Sequence, residues 1–115
     1  MNTRTYSIAK TYSRTPGPRY EKEGSYSGEK FRREYFYPAL LDAVKDNSVL
    51  NVDLDGTFGY GASFLEETFG GLIRHRQLDY DTIVRHIQLK SEEEDYLIED
   101  IMEYLKQAKE ACEKV

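Results

Sequence analysis

VLNVDLDGTFGYGASFLEETFGGLIRH, residues 49–75, decides how the chain is read. Val49, Leu50, Val52 and Leu54 form a short apolar run, interrupted only by Asn51 and Asp53, which predicts a buried strand. Asp55-Gly56 is a turn dipeptide that ends it. Gly56, Gly59 and Gly61 follow in a loop around Phe58 and Tyr60, which their freedom of φ predicts to be flexible. Ser63-Phe64-Leu65-Glu66 matches the S-x-x-E capping box, so a helix is expected to start at Ser63. Phe64, Leu65, Thr68, Phe69, Leu72 and Ile73 then recur at helical spacing. A strand, a glycine loop and a capped helix form the place where an α/β domain usually keeps its site, outside the carboxyl end of a strand.

Upstream, Tyr6, Ile8, Lys10 and Tyr12 alternate with Thr5, Ser7, Ala9 and Thr11, which predicts a first strand. Thr15-Pro16-Gly17-Pro18 is a turn. Arg19–Glu23 can return from it as a short, charged edge strand, and Gly24–Gly28 is a second loop. Glu29–Asp46 reads as a helix with Phe31, Tyr35, Phe36, Leu40, Leu41 and Val44 on one face. Pro38 inside it either kinks that helix or opens a second one; the kink is the favoured reading.

Downstream, Gln77–Thr82 is polar and reads as a loop with a short helical turn, and Arg85–Lys90 as a last strand. Ser91–Glu94 is a second capping box, from which a long helix is expected to run to Glu113. Ile98, Ile101, Leu105, Ala108 and Cys112 make its narrow apolar stripe, either core-facing or the seam of a homodimer through this C-terminal helix, with the core reading favoured. The order β(β)αβαβα predicts an α/β fold, a small mixed sheet flanked by helices, in a single domain over residues 1–115.

Composition narrows the function classes. Hydrophobic residues are 39% and charged residues 32%, and no run of 18 apolar residues is present, so a soluble cytoplasmic protein without a membrane span is expected. Cys112 is the only cysteine, which excludes an intramolecular disulfide and fits a reducing compartment. The net charge of −5 divides unevenly, +5 over residues 1–33 and −10 over residues 34–115. Either the basic front meets a partner or the two charges complement each other within the molecule, and the second is the plainer reading. A pI near 5.1 argues against nucleic acid as partner.

The motifs exclude several chemistries. The glycines fit neither G-x-x-x-x-G-K-[ST] nor G-x-G-x-x-G, so no nucleotide or other cofactor is expected. Gly70-Gly71 lies within a helical pattern at a cost of about 1 kcal/mol per glycine, which points to close packing by another backbone. Asp53, Asp55, Glu66 and Glu67 have the oxygen chemistry of a hard-metal site, but Glu66 is assigned to capping and no metal is expected. His75 and His86 stand eleven residues apart without paired cysteines, which rejects zinc. Ser63 and His75 lack a G-x-S-x-G elbow, so no catalytic residue is expected.

PGPRY (16–20), YSGEKFRREY (26–35), VDLDGTFGYGASFLEETFGGLIR (52–74) and IQLKSEEEDYLIEDIMEYL (87–105) resemble the prokaryotic STAS-like domain of unknown function over nearly the whole chain. The resemblance implies a fold like that of the anti-sigma-factor antagonists, a small sheet with flanking helices, and partnership with a histidine-kinase-like ATPase. In those antagonists a D-S-S-G-L-like motif opens the helix after the central strand and carries the serine that the partner kinase phosphorylates. The matching stretch is Gly61-Ala62-Ser63-Phe64-Leu65, with Ser63 as its one hydroxyl. The expectation is a non-enzymatic interaction module. Its surface comprises Asp55, Gly56, Gly59, Tyr60, Gly61, Ser63 and Glu67 with Arg19, and Ser63 is the candidate phosphorylation site. The alternative is a small enzyme or ligand-binding domain using Asp53, Asp55, Glu67 and Arg19 at the Gly56–Ser63 loop.

Overall fold

The computed structural model describes residues 1–114. Three strands, β1 (Thr3–Ser7), β2 (Val49–Asp53) and β3 (Ile87–Lys90), form one sheet in the order β1-β2-β3, with both neighbouring pairs parallel. The α/β class and the small sheet with helices hold. The optional second strand does not form, so the sheet is parallel throughout. Arg19–Glu23 instead ends in a 3-10 turn, Glu21–Glu23, because Tyr20 N–H and Glu21 N–H are taken by the carboxylates of Glu23 and Glu29.

β1 is followed by a single helical turn, α1 (Ile8–Thr11). The Tyr6–Tyr12 alternation is therefore not one continuous strand, and Lys10 within it is exposed. Ser7 accepts the Lys10 N–H at 3.1 Å and turns the chain, which carries the Tyr12 ring to 4.8 Å from that of Phe31. α2 spans residues 28–45 as an α turn (Gly28–Phe31), a π segment (Arg32–Phe36) and an α segment (Tyr37–Lys45). Pro38 is accommodated inside this one helix, directly after the π segment, where the widened turn relieves the missing N–H and the clash with the preceding carbonyl. α3 spans 62–74 in the same three-part form, with its π segment at Glu66–Gly70. The two π segments meet where the Phe36 and Phe69 rings lie 5.0 Å apart, edge to face.

α4 (Tyr80–His86) occupies residues expected as loop and strand. Asp79 caps it by accepting Thr82 N–H at 2.8 Å, and the strand begins only at Ile87. His86, buried, bonds through Nδ1 to Ser48 O at 2.8 Å. α5 (Tyr96–Glu113) is the expected long helix, but the second capping box lies ahead of it: Ser91 and Glu94 bond to each other, and Asp95 at the N-cap makes no side-chain cap bond. Ile101, Leu105 and Ala108 of the expected stripe are buried within the molecule, so it faces the core, but Ile98 is half-buried and Leu97, outside the expected stripe, is buried beside them. Cys112 is half-buried, its Sγ 3.7 Å from Ile73 O.

Strands laid down in the order 1-2-3 with right-handed crossovers put both connections on one face of the sheet. Burial agrees. Leu50, Val52 and Ile87 point into the core with Phe31, Phe36, Phe64, Phe69 and Ile101. Thr3, Thr5, Gln88 and Lys90 on the other face are exposed. No described helix is long and apolar enough to cross a membrane.

Candidate functional site

The expected site residues fall into two groups on either side of the start of α3. The first lies at the carboxyl end of β2. The Asp55 carboxylate accepts the N–H groups of Glu92 and Glu93 at 3.0 Å, and the Glu93 carboxylate accepts Gly56 N–H at 2.8 Å. This reciprocal clasp ties the glycine loop to the turn after β3. The two backbone donors hold the Asp55 carboxyl below its ordinary value. Gly56 (φ +92°) and Gly59 (φ +128°) adopt backbone conformations that side chains rarely tolerate.

Phe58 is the most exposed of the large apolar side chains, at 81%. Its N–H donates to Arg14 O at 2.8 Å, the Arg14 guanidinium lies 5.5 Å from its ring centroid, and Arg14 Nε reaches Gly56 O at 3.4 Å. Tyr60 turns inward, its hydroxyl donating to Leu54 O at 2.8 Å, and burial pushes its pKa up so that it remains a donor. The loop is thus braced at both ends, unlike the flexible loop expected. Ser7, Ala9, Lys10, Arg14, Asp53, Asp55, Gly56 and Glu93 line a shallow cleft beside it.

Ser63 does not cap α3. Gly61 stands at the N-cap, Ala62 is the first helical residue, and Ser63 is exposed within the first turn. The capping box requires Glu66 to fold back onto the Ser63 N–H. Instead Glu66 pairs with Arg19 and with Arg74, at 2.8 and 3.1 Å for the latter, since two guanidinium groups outcompete one amide donor. Ser63 shares a shallow depression with Pro18, Arg19, Tyr20 and Glu23.

The second group is buried. Glu67, 1% exposed, pairs with Arg32, itself buried, with Arg74 at 2.9 Å and with Arg19 at 3.4 Å; His75 Nε2 stands 3.7 Å away. Arg32 also donates to Gln77 Oε1 at 3.0 Å. Burial alone would raise the Glu66 carboxyl, but hydrogen bonds from Arg74 and Arg19 outweigh it and hold the group below its ordinary value. Arg19 arrives through the Pro16–Pro18 turn, which Gly17 N–H to Tyr26 O, Gly28 N–H to Pro18 O and Glu29 N–H to Arg19 O fasten to α2.

The Gly70-Gly71 pair serves this cluster. A Cβ on Gly71 would meet Arg32 Nη1 at 2.6 Å, and one on Gly70 would meet Glu66 Oε2 at 2.3 Å. The close neighbours are charged side chains, not the second backbone that the glycines suggested. Close backbone approaches occur at Gly17, whose Cβ would lie 2.1 Å from Ser25 O, and at Gly28, whose Cβ would come within 2.6 Å of Phe64 O.

Arg19 and Glu67 therefore belong to a structural ion cluster, while Asp55, Gly56, Gly59, Tyr60, Gly61 and Ser63 build the loop and helix start. The sequence reading passed over Arg14, Phe58 and Glu93 at the loop, and Arg32 and Arg74 in the cluster. The one available signal was Phe58, an aromatic residue among glycines outside any helical or strand period. Among the described residues no group of three or more His, Cys, Asp or Glu is placed to hold a metal ion. The carboxylates once considered for one are engaged by arginines, backbone N–H groups or, for Asp53, by Asp55 N–H and Lys90.

The family model for the STAS-like domain of unknown function (DUF4325) matches residues 27–97. The chain belongs to this family. The match spans α2, β2, the glycine loop, α3, α4, β3 and the first residues of α5, so both groups lie within it except for Arg14 and Arg19. No curated protein and no solved structure matches the chain.

Proposed function

We propose that the protein is a non-enzymatic interaction module that docks a protein partner through residues 58–63. The observation that carries this reading is Phe58, a large aromatic side chain held out of the molecule on a loop fixed by the Asp55 clasp and by Arg14. An exposed aromatic anchor on a preorganised support loses little entropy on binding, and such anchors dominate interface energies. Gly61, Ala62 and Ser63 continue the exposed surface beside it, and a Cβ on Gly59 or Gly61 would meet nothing within 4 Å.

The resemblance to anti-sigma-factor antagonists supplies the partner class, a histidine-kinase-like ATPase, and makes Ser63 the site of control. Ser63 is exposed and free of any capping duty, so a phosphoryl group there leaves the helix intact; near a helix N-terminus its charge is tolerated. Within the contact surface the same charge opposes docking. Calorimetric titration of a histidine-kinase-like ATPase from the same genome against wild type and Ser63→Asp is the test. The variant is expected to stay folded and to bind about tenfold more weakly, equivalent to about 1.4 kcal/mol. Equal affinities would remove Ser63 from the contact.

The competing reading, a ligand-binding or catalytic domain, draws on the cleft beside the loop, where Lys10 and Arg14 face Asp53, Asp55 and Glu93. Native mass spectrometry of the purified protein separates the two, since a retained small molecule favours the second.

A further inference from the structure

Among the described residues strand β1 forms a free edge of the sheet, with β2 on one side and no strand on the other. The bond from Val49 N–H to Asn2 O sets the phase of the ladder. Asn2, Arg4 and Tyr6 turn their backbone groups toward β2, and Thr3 and Thr5 turn theirs outward, as does the Ser7 N–H. Among the described residues nothing outside the ladder hydrogen-bonds the backbone of Thr3 or Thr5, and residues 3–5 are exposed. The edge carries no proline and no bulge. Its one charge, Arg4, is already paired with Asp46. Natural edges are usually blunted by such devices. Wholly parallel sheets are also usually covered on both faces, whereas this one has three strands and an open polar face.

We propose that β1 is the site at which a second copy of this chain joins, edge to edge and antiparallel about a two-fold axis at Thr5. The strand Thr3-Arg4-Thr5-Tyr6-Ser7 is self-complementary in that register. Thr5 faces Thr5, Arg4 faces Tyr6, and Thr3 faces Ser7, with no like charges opposed. Thr–Thr and Thr–Ser pairs favour sheet pairing, and the Arg4 stem lies along the half-buried Tyr6 ring. The phase is also the required one. Because Thr5 presents its N–H and C=O outward, the two copies exchange both bonds at the axis, and each Ser7 N–H adds a bond to the other copy's Thr3 carbonyl. The product is a continuous sheet of six strands. The opposite edge, β3, is less suited, because Ile87-Gln88-Leu89-Lys90 paired with itself sets Lys90 against Ile87.

Sedimentation of the full chain at rising concentration reads the association. A reversible dimer is expected, with a dissociation constant raised at least about tenfold by Thr5→Pro, which removes an outward N–H and leaves the bonds to β2 in place. Register is tested in a Cys112→Ser background by mild oxidation of Thr5→Cys and, separately, Thr3→Cys. At the axis the paired Cα atoms stand about 5.5 Å apart, within disulfide reach, so Thr5→Cys is expected to cross-link. Thr3 stands about 13 Å from its counterpart, four residues along the strands, so Thr3→Cys is not. A chain that remains monomeric at every concentration overturns the proposal. So does a dimer that cross-links at neither position, or at both equally, whether or not Thr5→Pro folds.

Discussion

The loop at residues 55–63 and the helix segment at 64–74 are adjacent in sequence, both contain glycine and acid, and they are opposite in how they use them. In the loop, glycines 56 and 59 supply positive φ, and the Asp55 carboxylate bonds to backbone N–H groups at the surface. In the helix, glycines 70 and 71 supply room, and Glu66 and Glu67 are gripped by three arginines, with Glu67 1% exposed. The loop spends its interactions on holding Phe58 outward. The helix spends its own on joining the Pro16–Pro18 turn, α2 and α3. A glycine or an acid therefore says little until its partners are known. Substitutions should separate the two regions, with stability lost on the helix side and binding lost on the loop side.

The largest effect is expected at Glu67. Glu67→Gln leaves Arg32 buried beside a neutral amide, and breaking a buried pair from one side costs about 3–5 kcal/mol. Urea unfolding monitored by circular dichroism measures it. A loss below about 1 kcal/mol, the range of exposed pairs, would mean that water reaches the cluster and that the contrast is weaker than drawn. Gly28→Ala comes next. Its Cβ would lie 2.6 Å from Phe64 O, a backbone atom that cannot rotate away, so α2 and α3 must separate. Overpacking of this kind costs about 1–3 kcal/mol by the same assay.

Acid should distinguish the regions less sharply, because each contains a carboxyl held below its ordinary value. Glu66 is held there, against burial, by its bonds to Arg74 and Arg19, and Asp55 by the N–H groups of Glu92 and Glu93. A group whose folded pKa is depressed contributes stability above its unfolded value, and the contribution is lost as pH falls through the folded value. Thermal midpoints should therefore drop as pH falls below the ordinary values, 4.5 for Glu66 and 3.8 for Asp55. Glu66→Gln should flatten the upper part of that limb. An unchanged acid limb would detach Glu66 from the stability of the fold.

The contrast also explains what could be read from the sequence. The central strand, the helix after it, the long last helix and its core-facing stripe were legible, because apolar periodicity reports burial directly. The early strand and the helix at Tyr80–His86 were misplaced where one polar side chain, Ser7 or Asp79, caps a turn inside an otherwise ambiguous pattern. Both capping boxes matched their pattern and neither caps a helix. At the first, the Glu66 carboxylate that the box requires is held by Arg19, distant in sequence; at the second, Ser91 Oγ accepts the Glu94 N–H, but the Glu94 carboxylate accepts the Tyr96 hydroxyl and the helix starts only at Tyr96. Local motifs are legible only where no other group competes for the same atoms. Arg32 and Arg74 escaped notice for the same reason, since an arginine on a helix gives no sign of the acid it will meet across the fold.

The smallest stability effects, and for that reason the sharpest test, belong to Phe58 and Ser63. The S-x-x-E pattern alone would assign Ser63→Ala a loss of about 1 kcal/mol as a lost cap. With Gly61 at the N-cap and Ser63 exposed, the expected change is within about 0.5 kcal/mol, the range of ordinary surface substitutions. Phe58→Ala belongs to the same class, because the residue is 81% exposed and the Arg14 guanidinium lies over its ring. If the loop is the docking surface, its effect appears in binding alone: removing a central aromatic anchor typically costs 2 kcal/mol or more, roughly thirtyfold in affinity. Urea unfolding and calorimetric titration of the ATPase, run on the same preparations of Phe58→Ala and Gly28→Ala, give the paired readout. Phe58→Ala should keep its stability and lose affinity. Gly28→Ala should lose stability and, while still folded, bind as wild type. If Phe58→Ala binds normally, its exposure reflects only the geometry of a glycine loop. If instead it unfolds early, the ring supports the Asp55 clasp, and the line between the two regions must be redrawn to include it.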